Sequence, residues 1–289
     1  MTRQGEALTQ MDSELGNVPS SGKATSQALA HHLRTEIEAG RLPHRAPLPT
    51  SKQLAEQYDT SPATVSRAMD ILAAEGLIIG KPRAGRLVNY PPPTERSLPS
   101  RPKVLLIGGY AGSGKTELGR ILARQTHWPM LDKDTTTRAV VEQALELLGK
   151  SPHDRESELY RTSIRPVEYE ALIAGMMENV ECGTSTIVTA PFALELADKT
   201  WCDRTAANLA RLGADLHVIW VRTDADSMRR YIRHRGAARD AAKLADWEKY
   251  IDGLDLKFEP ATEHTIISNS ADARPLQEQA EQLLATVTA

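Results

Sequence analysis

Gly109-Tyr110-Ala111-Gly112-Ser113-Gly114-Lys115-Thr116 fills every position of the phosphate-binding pattern G-x-x-x-x-G-K-[ST]. The apolar run Val104-Leu105-Leu106-Ile107 leads into it like a buried parallel strand, and Glu117-Leu118-Gly119-Arg120-Ile121-Leu122-Ala123 leads out like a helix. That setting separates a phosphate loop from a chance match. Glycines between a strand and a helix let successive backbone N–H groups turn inward around phosphate oxygens. The stretch predicts a nucleotide site made of Gly109, Gly112, Ser113, Gly114, Lys115, Thr116 and Glu117. Lys115 is expected to reach the β and γ oxygens of ATP, and the Thr116 hydroxyl to ligate Mg²⁺.

Downstream, Ile187-Val188, Leu216 to Val221 and Thr265-Ile266-Ile267 read as further strands with helical patterns between them. This is the order of an α/β doubly wound parallel sheet over residues 103–289. Pro129-Met130-Leu131-Asp132-Lys133-Asp134 reads as a short strand that ends in two carboxylates. Here the chain resembles the small-molecule kinase branch of P-loop proteins, which includes shikimate kinase, gluconate kinase, chloramphenicol phosphotransferase and the zeta-toxin-like kinases. The resemblance implies that Asp132 and Asp134 face the γ-phosphate. Asp134 could then take or orient the proton of an acceptor hydroxyl, while Asp132 holds a water of Mg²⁺. A carboxylate ahead of Thr135-Thr136-Thr137 could equally cap a helix.

The arginine-rich stretch from Met228 to Asp240 looks like the lid of such kinases, with Arg235 and Arg239 closing over the nucleotide to offset charge on the transferring group. A solvated arginine face is the alternative. Asn269-Ser270 resembles the turn near the adenine. Arg165 to Ile173 and Asp154 to Arg161 are candidate walls of an acceptor pocket, or packing and surface. Thr189 stands where a Walker-B-like Asp is sought, so metal binding rests on Thr116 and Asp132, or the unit binds nucleotide without turnover.

The chain has 289 residues, 40% of them hydrophobic and 25% charged, enough for two cores. No apolar run approaches the roughly 18 residues of a membrane helix, and the N-terminus opens into polar residues, so a cytoplasmic protein is expected, with no membrane partner. The two cysteines, Cys182 and Cys202, have no partners at metal-ligand spacing and are expected to be small core residues. Residues 1–23 are read as a flexible tail, and residues 91–102, which begin with three prolines, as a stiff spacer. Net charge is −3, yet residues 24–90 carry +2, leaving −5 for the remainder.

Within 24–90, Leu29, Leu33 and Ile37 mark one helix and Leu54, Ala55 and Tyr58 a second. A third follows Ser61 as cap and Pro62 at its first position, with Val65, Ala68, Met69 and Leu72 as its buried stripe. The tight link between the last two makes a helix-turn-helix, and Leu77-Ile78-Ile79 and Leu87-Val88 flank a cationic hairpin tip. Ile37-x-x-Gly40-Arg41-Leu42, Leu48-Pro49-Thr50, Leu54-Ala55, Ser61-x-x-Thr64-Val65-x-Arg67 and Gly85-x-Leu87-Val88 together resemble the GntR-type winged-helix domain of bacterial regulators. The resemblance implies that double-stranded operator DNA is met by Lys52, Ser61, Thr64 and Arg67, with Lys81, Arg83 and Arg86 of the wing on the adjacent backbone or minor groove. Many such domains carry Arg after the Ser, and this chain has Pro62, so base preference does not carry over.

Two functions follow as expectations. The first is a homodimeric DNA-binding transcriptional regulator whose activity is modulated by ATP, alone or with a small effector. The second is an active ATP-dependent small-molecule phosphotransferase with an autoregulatory DNA-binding domain.

Overall fold

The computed structural model describes residues 25–81, 85–90 and 101–288, residue 239 by its backbone alone. The tail at 1–23 and most of the spacer at 91–102 lie outside the described residues. The chain divides into two compact units, with the boundary between Arg96 and Ser97.

The first unit contains α1 (Ser26–Glu38), α2 (Ser51–Gln57), α3 (Pro62–Ala74) and a hairpin of β1 (Ile78–Lys81) and β2 (Gly85–Val88). Each helix starts where a side chain satisfies a free backbone N–H. Thr25 accepts from Ala28, Thr50 and Gln53 form a reciprocal capping box, and Ser61 accepts from Thr64 ahead of Pro62. Leu29, Leu33 and Ile37 meet Leu54, Val65, Ala68, Met69 and Leu72 in one core, closed beneath by Ile78 and Val88. The sequence reading did not foresee that residues 45–48 pair along the outer edge of β2. There the Arg45 and Leu48 N–H groups donate to the Val88 and Arg86 carbonyls, and the Val88 N–H donates to Ala46. A run broken by Pro43 and Pro47 carries little strand signal, but it satisfies an edge that would otherwise be bare.

The second unit opens with β3 (Lys103–Gly108), α4 (Lys115–Thr126), β4 (Met130–Asp132) and α5 (Lys133–Leu147). A π-helical turn at Tyr160–Ile164 runs into α6 (Arg165–Glu181), followed by β5 (Thr186–Thr189), α7 (Ala193–Ala197), α8 (Lys199–Arg211) and β6 (Asp215–Arg222). Then come α9 (Ala225–Arg235), α10 (Ala241–Ala245), α11 (Trp247–Asp252), β7 (Thr265–Ser268) and α12 (Leu276–Val287). The sheet is parallel throughout, in the order β4-β5-β3-β6-β7.

Central β3 is apolar at successive positions because both its faces are covered. Val104 and Leu106 pack with Tyr169, Leu172 and Met176 of α6, Leu209 of α8 and Trp220 of β6. Leu105 and Ile107 pack with Leu118 and Leu122 of α4 and Ala280 and Leu283 of α12. The chain crosses from one side of β3 to the other between β5 and β6, which opens a crevice at the carboxyl ends of the strands. Cys202 is a core residue as expected, whereas Cys182 is exposed, because α6 ends at Glu181 and leaves it outside the apolar stripe. Among the described residues no helix is long and apolar enough to cross a membrane.

Candidate functional site

The phosphate loop lies in that crevice. Gly112 and Gly114 have φ of +82° and +92°, a region an L side chain rarely adopts. A Cβ on Gly112 would lie 2.7 Å from Ile232, and one on Gly114 would run into the Asn269 amide. That amide donates to the Ser113 carbonyl at 2.9 Å, so Asn269 braces the loop, a contact not foreseen in its expected place beside the adenine. The Ser113 hydroxyl is buried and makes no hydrogen bond among the described residues. An orphaned donor inside a glycine cradle, beside the buried Lys115, fits a phosphate oxygen.

Asp132 is the hub of a hydrogen-bond network beside the loop. One of its oxygens accepts from the Thr116 hydroxyl at 2.9 Å and the Thr189 hydroxyl at 2.7 Å. The other accepts from the Thr135 N–H at 3.0 Å, which makes Asp132 the N-cap of α5. The cap is therefore Asp132 and not Asp134, which sits in the first helical turn. β4 and β5 pair with Asp132 directly opposite Thr189, so a carboxylate on the neighbouring strand stands beside the position where β5 has none. A hydroxyl and a single carboxylate suit Mg²⁺, which takes its remaining ligands from water and substrate phosphates.

Two cavities meet at this point. The first, of about 530 Å³, is lined by Gly112, Gly114, Lys115, Thr116, Glu117, Arg235 and Asn269, with Tyr231, His234 and Leu276. Glu117 is exposed and paired with Arg120 at 3.0 Å. The second, of about 330 Å³, again includes Lys115 and Arg235 and adds Asp134, Lys133, Arg155, Tyr160, Arg161, Arg165 and Tyr169. Residues of both segments read as candidate acceptor walls line this one cavity.

Beside the second cavity the Lys133 ammonium bridges Glu168 at 2.9 Å and Asp134 at 3.2 Å, while Tyr160 and Thr137 donate to Glu168, each at 2.7 Å. This buried network escaped the sequence reading; a lysine between two aspartates was its only signal. Burial, with Glu168 beside it, pushes the Tyr160 phenol far above its usual range, and burial does the same for Tyr169, so both stay protonated. Arg235 pairs with the buried Asp240. The Arg239 side chain lies outside the described residues.

In the first unit Lys52, Arg67 and Lys81 are exposed, Lys52 lying 4.0 Å from Glu56. The Ser61 hydroxyl is taken by capping α3 and by the Thr64 hydroxyl at 2.9 Å. Arg86 donates to the Ser51 hydroxyl at 3.1 Å, tying the wing to the start of α2. Arg83 lies outside the described residues.

Residues 104–256 match a family model described as an AAA domain, and residues 25–88 match one described as bacterial regulatory proteins of the gntR family. An HTH-type transcriptional regulator of Bacillus subtilis is 39% identical over 64 residues, which is 22% of this chain and 14% of that protein. Shikimate kinase of Moorella thermoacetica is 42% identical over 71 residues, 25% of this chain and 37% of that enzyme. The matches thus span well under half the length of either curated relative. The structure of Mycobacterium tuberculosis APS kinase is similar over 66% of this chain and 100% of its own, at 18% identity and a TM-score of 0.45.

Proposed function

The chain belongs to the AAA-domain family through residues 104–256 and carries a gntR-type DNA-binding domain at residues 25–88; from that premise we propose that it is a transcriptional regulator whose P-loop unit phosphorylates a small molecule at the expense of ATP. The observation that carries this reading is the pair of adjoining cavities that share Lys115 and Arg235, with Asp134 on the second alone. A sensor of nucleotide alone needs one cavity, whereas a phosphotransferase needs two that meet where the group passes, with a carboxylate on the acceptor side. In this reading residues 24–90 are the DNA-binding domain, 91–102 a spacer and 103–289 the kinase domain.

The Gly109–Thr116 loop and Asn269 hold the nucleotide. Thr116 and Asp132 would hold Mg²⁺, which when bound neutralises charge on the β- and γ-phosphates. Lys133 orients Asp134 toward the acceptor. Asp134 takes the proton of the acceptor hydroxyl as that oxygen bonds to the γ-phosphorus and the bond to the β–γ bridging oxygen breaks, releasing ADP. Lys115 and Arg235 offset the charge on the equatorial oxygens during transfer. On the DNA side, Lys52, Thr64, Arg67, Lys81, Arg83 and Arg86 face bases or phosphates of paired half-sites, which implies a homodimer, and the ligand state of the P-loop unit sets operator affinity.

Retardation of the protein's own promoter DNA, with and without ATP·Mg²⁺ and with ADP release measured in the same samples, tests this. The expected result is ADP release that rises with one metabolite and falls by about 10²-fold or more in Asp134→Asn. ATP-dependent DNA binding with no ADP release under any metabolite would leave a nucleotide-gated regulator without turnover. Lys115→Ala is expected to lose the ATP response and keep DNA binding.

A further inference from the structure

Opposite its buried stripe of Val65, Ala68, Met69 and Leu72, helix α3 exposes Pro62, Ala63, Ser66, Arg67 and Asp70 on one face. In a helix-turn-helix the start of the second helix meets base edges in the major groove. Side chains read those edges by hydrogen bonds, or by apolar contact with the thymine methyl, the one apolar group the edges show there. What the first turn of α3 can offer therefore decides which bases it prefers.

That turn is poor in polar groups. Pro62 has an apolar ring and no N–H, and Ala63 ends in a methyl group. The Ser61 hydroxyl accepts from the Thr64 N–H at 3.1 Å and shares one hydrogen with the Thr64 hydroxyl at 2.9 Å. The pair keeps one O–H to give outward, which suits a phosphate oxygen and positions the helix without reading sequence. Against cytosine, which lacks the methyl and presents its N4 amino group, Pro62 and Ala63 would leave a donor without a partner.

Polar reading begins one turn later. Arg67 is exposed, forms no ion pair among the described residues and is the only cation in α3. Its planar fork matches the O6 and N7 acceptors of guanine. Ala63 and Arg67 stand four residues apart, about 6 Å along the helix, or about two base-pair steps. Asp70 follows on the same face, and phosphates repel its charge, so the face approaches DNA by its first half.

We propose that Pro62 and Ala63 read a thymine through its C5-methyl group, and that Arg67 reads a guanine about two base pairs away, so that each operator half-site carries both bases at fixed positions. Proline in the place where many such domains carry arginine thus exchanges a guanine contact for a thymine contact. This rests on the DNA-binding reading of the first unit and is independent of the kinase reading.

The test is selection of bound duplexes from a pool with a randomised core, using the full chain at one fixed salt concentration, followed by titrations on the best duplex. The selected half-sites are expected to share one thymine and one guanine. Uracil in place of that thymine in one half-site removes only the methyl group, and is expected to weaken binding about fourfold. Ala63→Gly is expected to bind the thymine and uracil duplexes within about twofold of each other, and Pro62→Arg to select guanine where the parent chain selects thymine. Both positions are exposed and outside the core, so neither variant threatens folding. Arg67→Ala is expected to relax selection at the guanine; an equal loss on every duplex would make Arg67 a phosphate contact and overturn the guanine assignment. Selected duplexes without a fixed thymine, an unchanged affinity for the uracil duplex, or a uracil penalty that persists in both Pro62→Arg and Ala63→Gly would overturn the thymine assignment. If no duplex is enriched, the DNA-binding reading falls and this inference falls with it.

Discussion

Gly114 shows how little freedom the site allows. At φ +92° and against the Asn269 amide, a methyl group would be strained by its backbone and blocked by its neighbour. Gly114→Ala is expected to destabilise the P-loop unit by about 1–2 kcal/mol and to abolish ATP binding, as read by thermal unfolding and calorimetry. Thr189 makes a different case. In the sequence it stands as a missing acid; in the structure its hydroxyl is one of two that fix the Asp132 carboxylate. Thr189→Val keeps the volume and removes the donor. We expect a loss of about 1 kcal/mol in stability and a higher Mg²⁺ requirement for ATP binding, measured by titrating Mg²⁺ at fixed nucleotide. A wild-type Mg²⁺ requirement in that variant would mean that the hydroxyl pair does not position the carboxylate.

At the scale of elements, α9 carries Arg235 into both cavities and begins at Asp224, whose side chain accepts from the Ser227 N–H at 2.8 Å. Burial alone would raise the Asp224 pKa, but hydrogen bonds from Ser227 and Ser270 outweigh it and hold the carboxyl down at about 2. A carboxyl lowered by folding contributes its full stability above its unfolded range near pH 4, and that contribution is lost as pH falls through about 2. Asp224→Ala is therefore expected to cost about 1 kcal/mol at pH 7, and the gap from the parent chain should close toward pH 2 in a series of denaturant melts. Helices and strands such as α3, β3 and β6 were legible in the chain because caps, breakers and apolar period all agree there. The phosphate loop was legible because its glycines have no cheaper explanation. Other features were hidden because long-range contacts decide them: the edge pairing of residues 45–48, the Lys133–Glu168 network, and the choice of Asp132 over Asp134 as the cap. The π-helical turn at Tyr160–Ile164, which places Tyr160 and Arg161 on the cavity, left no local signal either.

Across the whole molecule, each unit has its own core, and the core of the first is closed by Leu72 and Val65, both 0% exposed. Leu72→Ala is expected to destabilise that unit by about 2–5 kcal/mol and leave the P-loop unit's transition in place. Scanning calorimetry should then show two separated transitions, with DNA retardation lost at the lower one and nucleotide binding kept; a single transition that shifts as a whole would show that the units unfold together. The walls common to the two cavities, Lys115 and Arg235, also bear on the order of events. In the proposed transfer, donor and recipient lie in the molecule at the same moment, so initial-velocity plots for the two should intersect rather than run parallel. With a single displacement and no phosphorylated side chain between, a chiral γ-phosphorus should emerge with its configuration inverted.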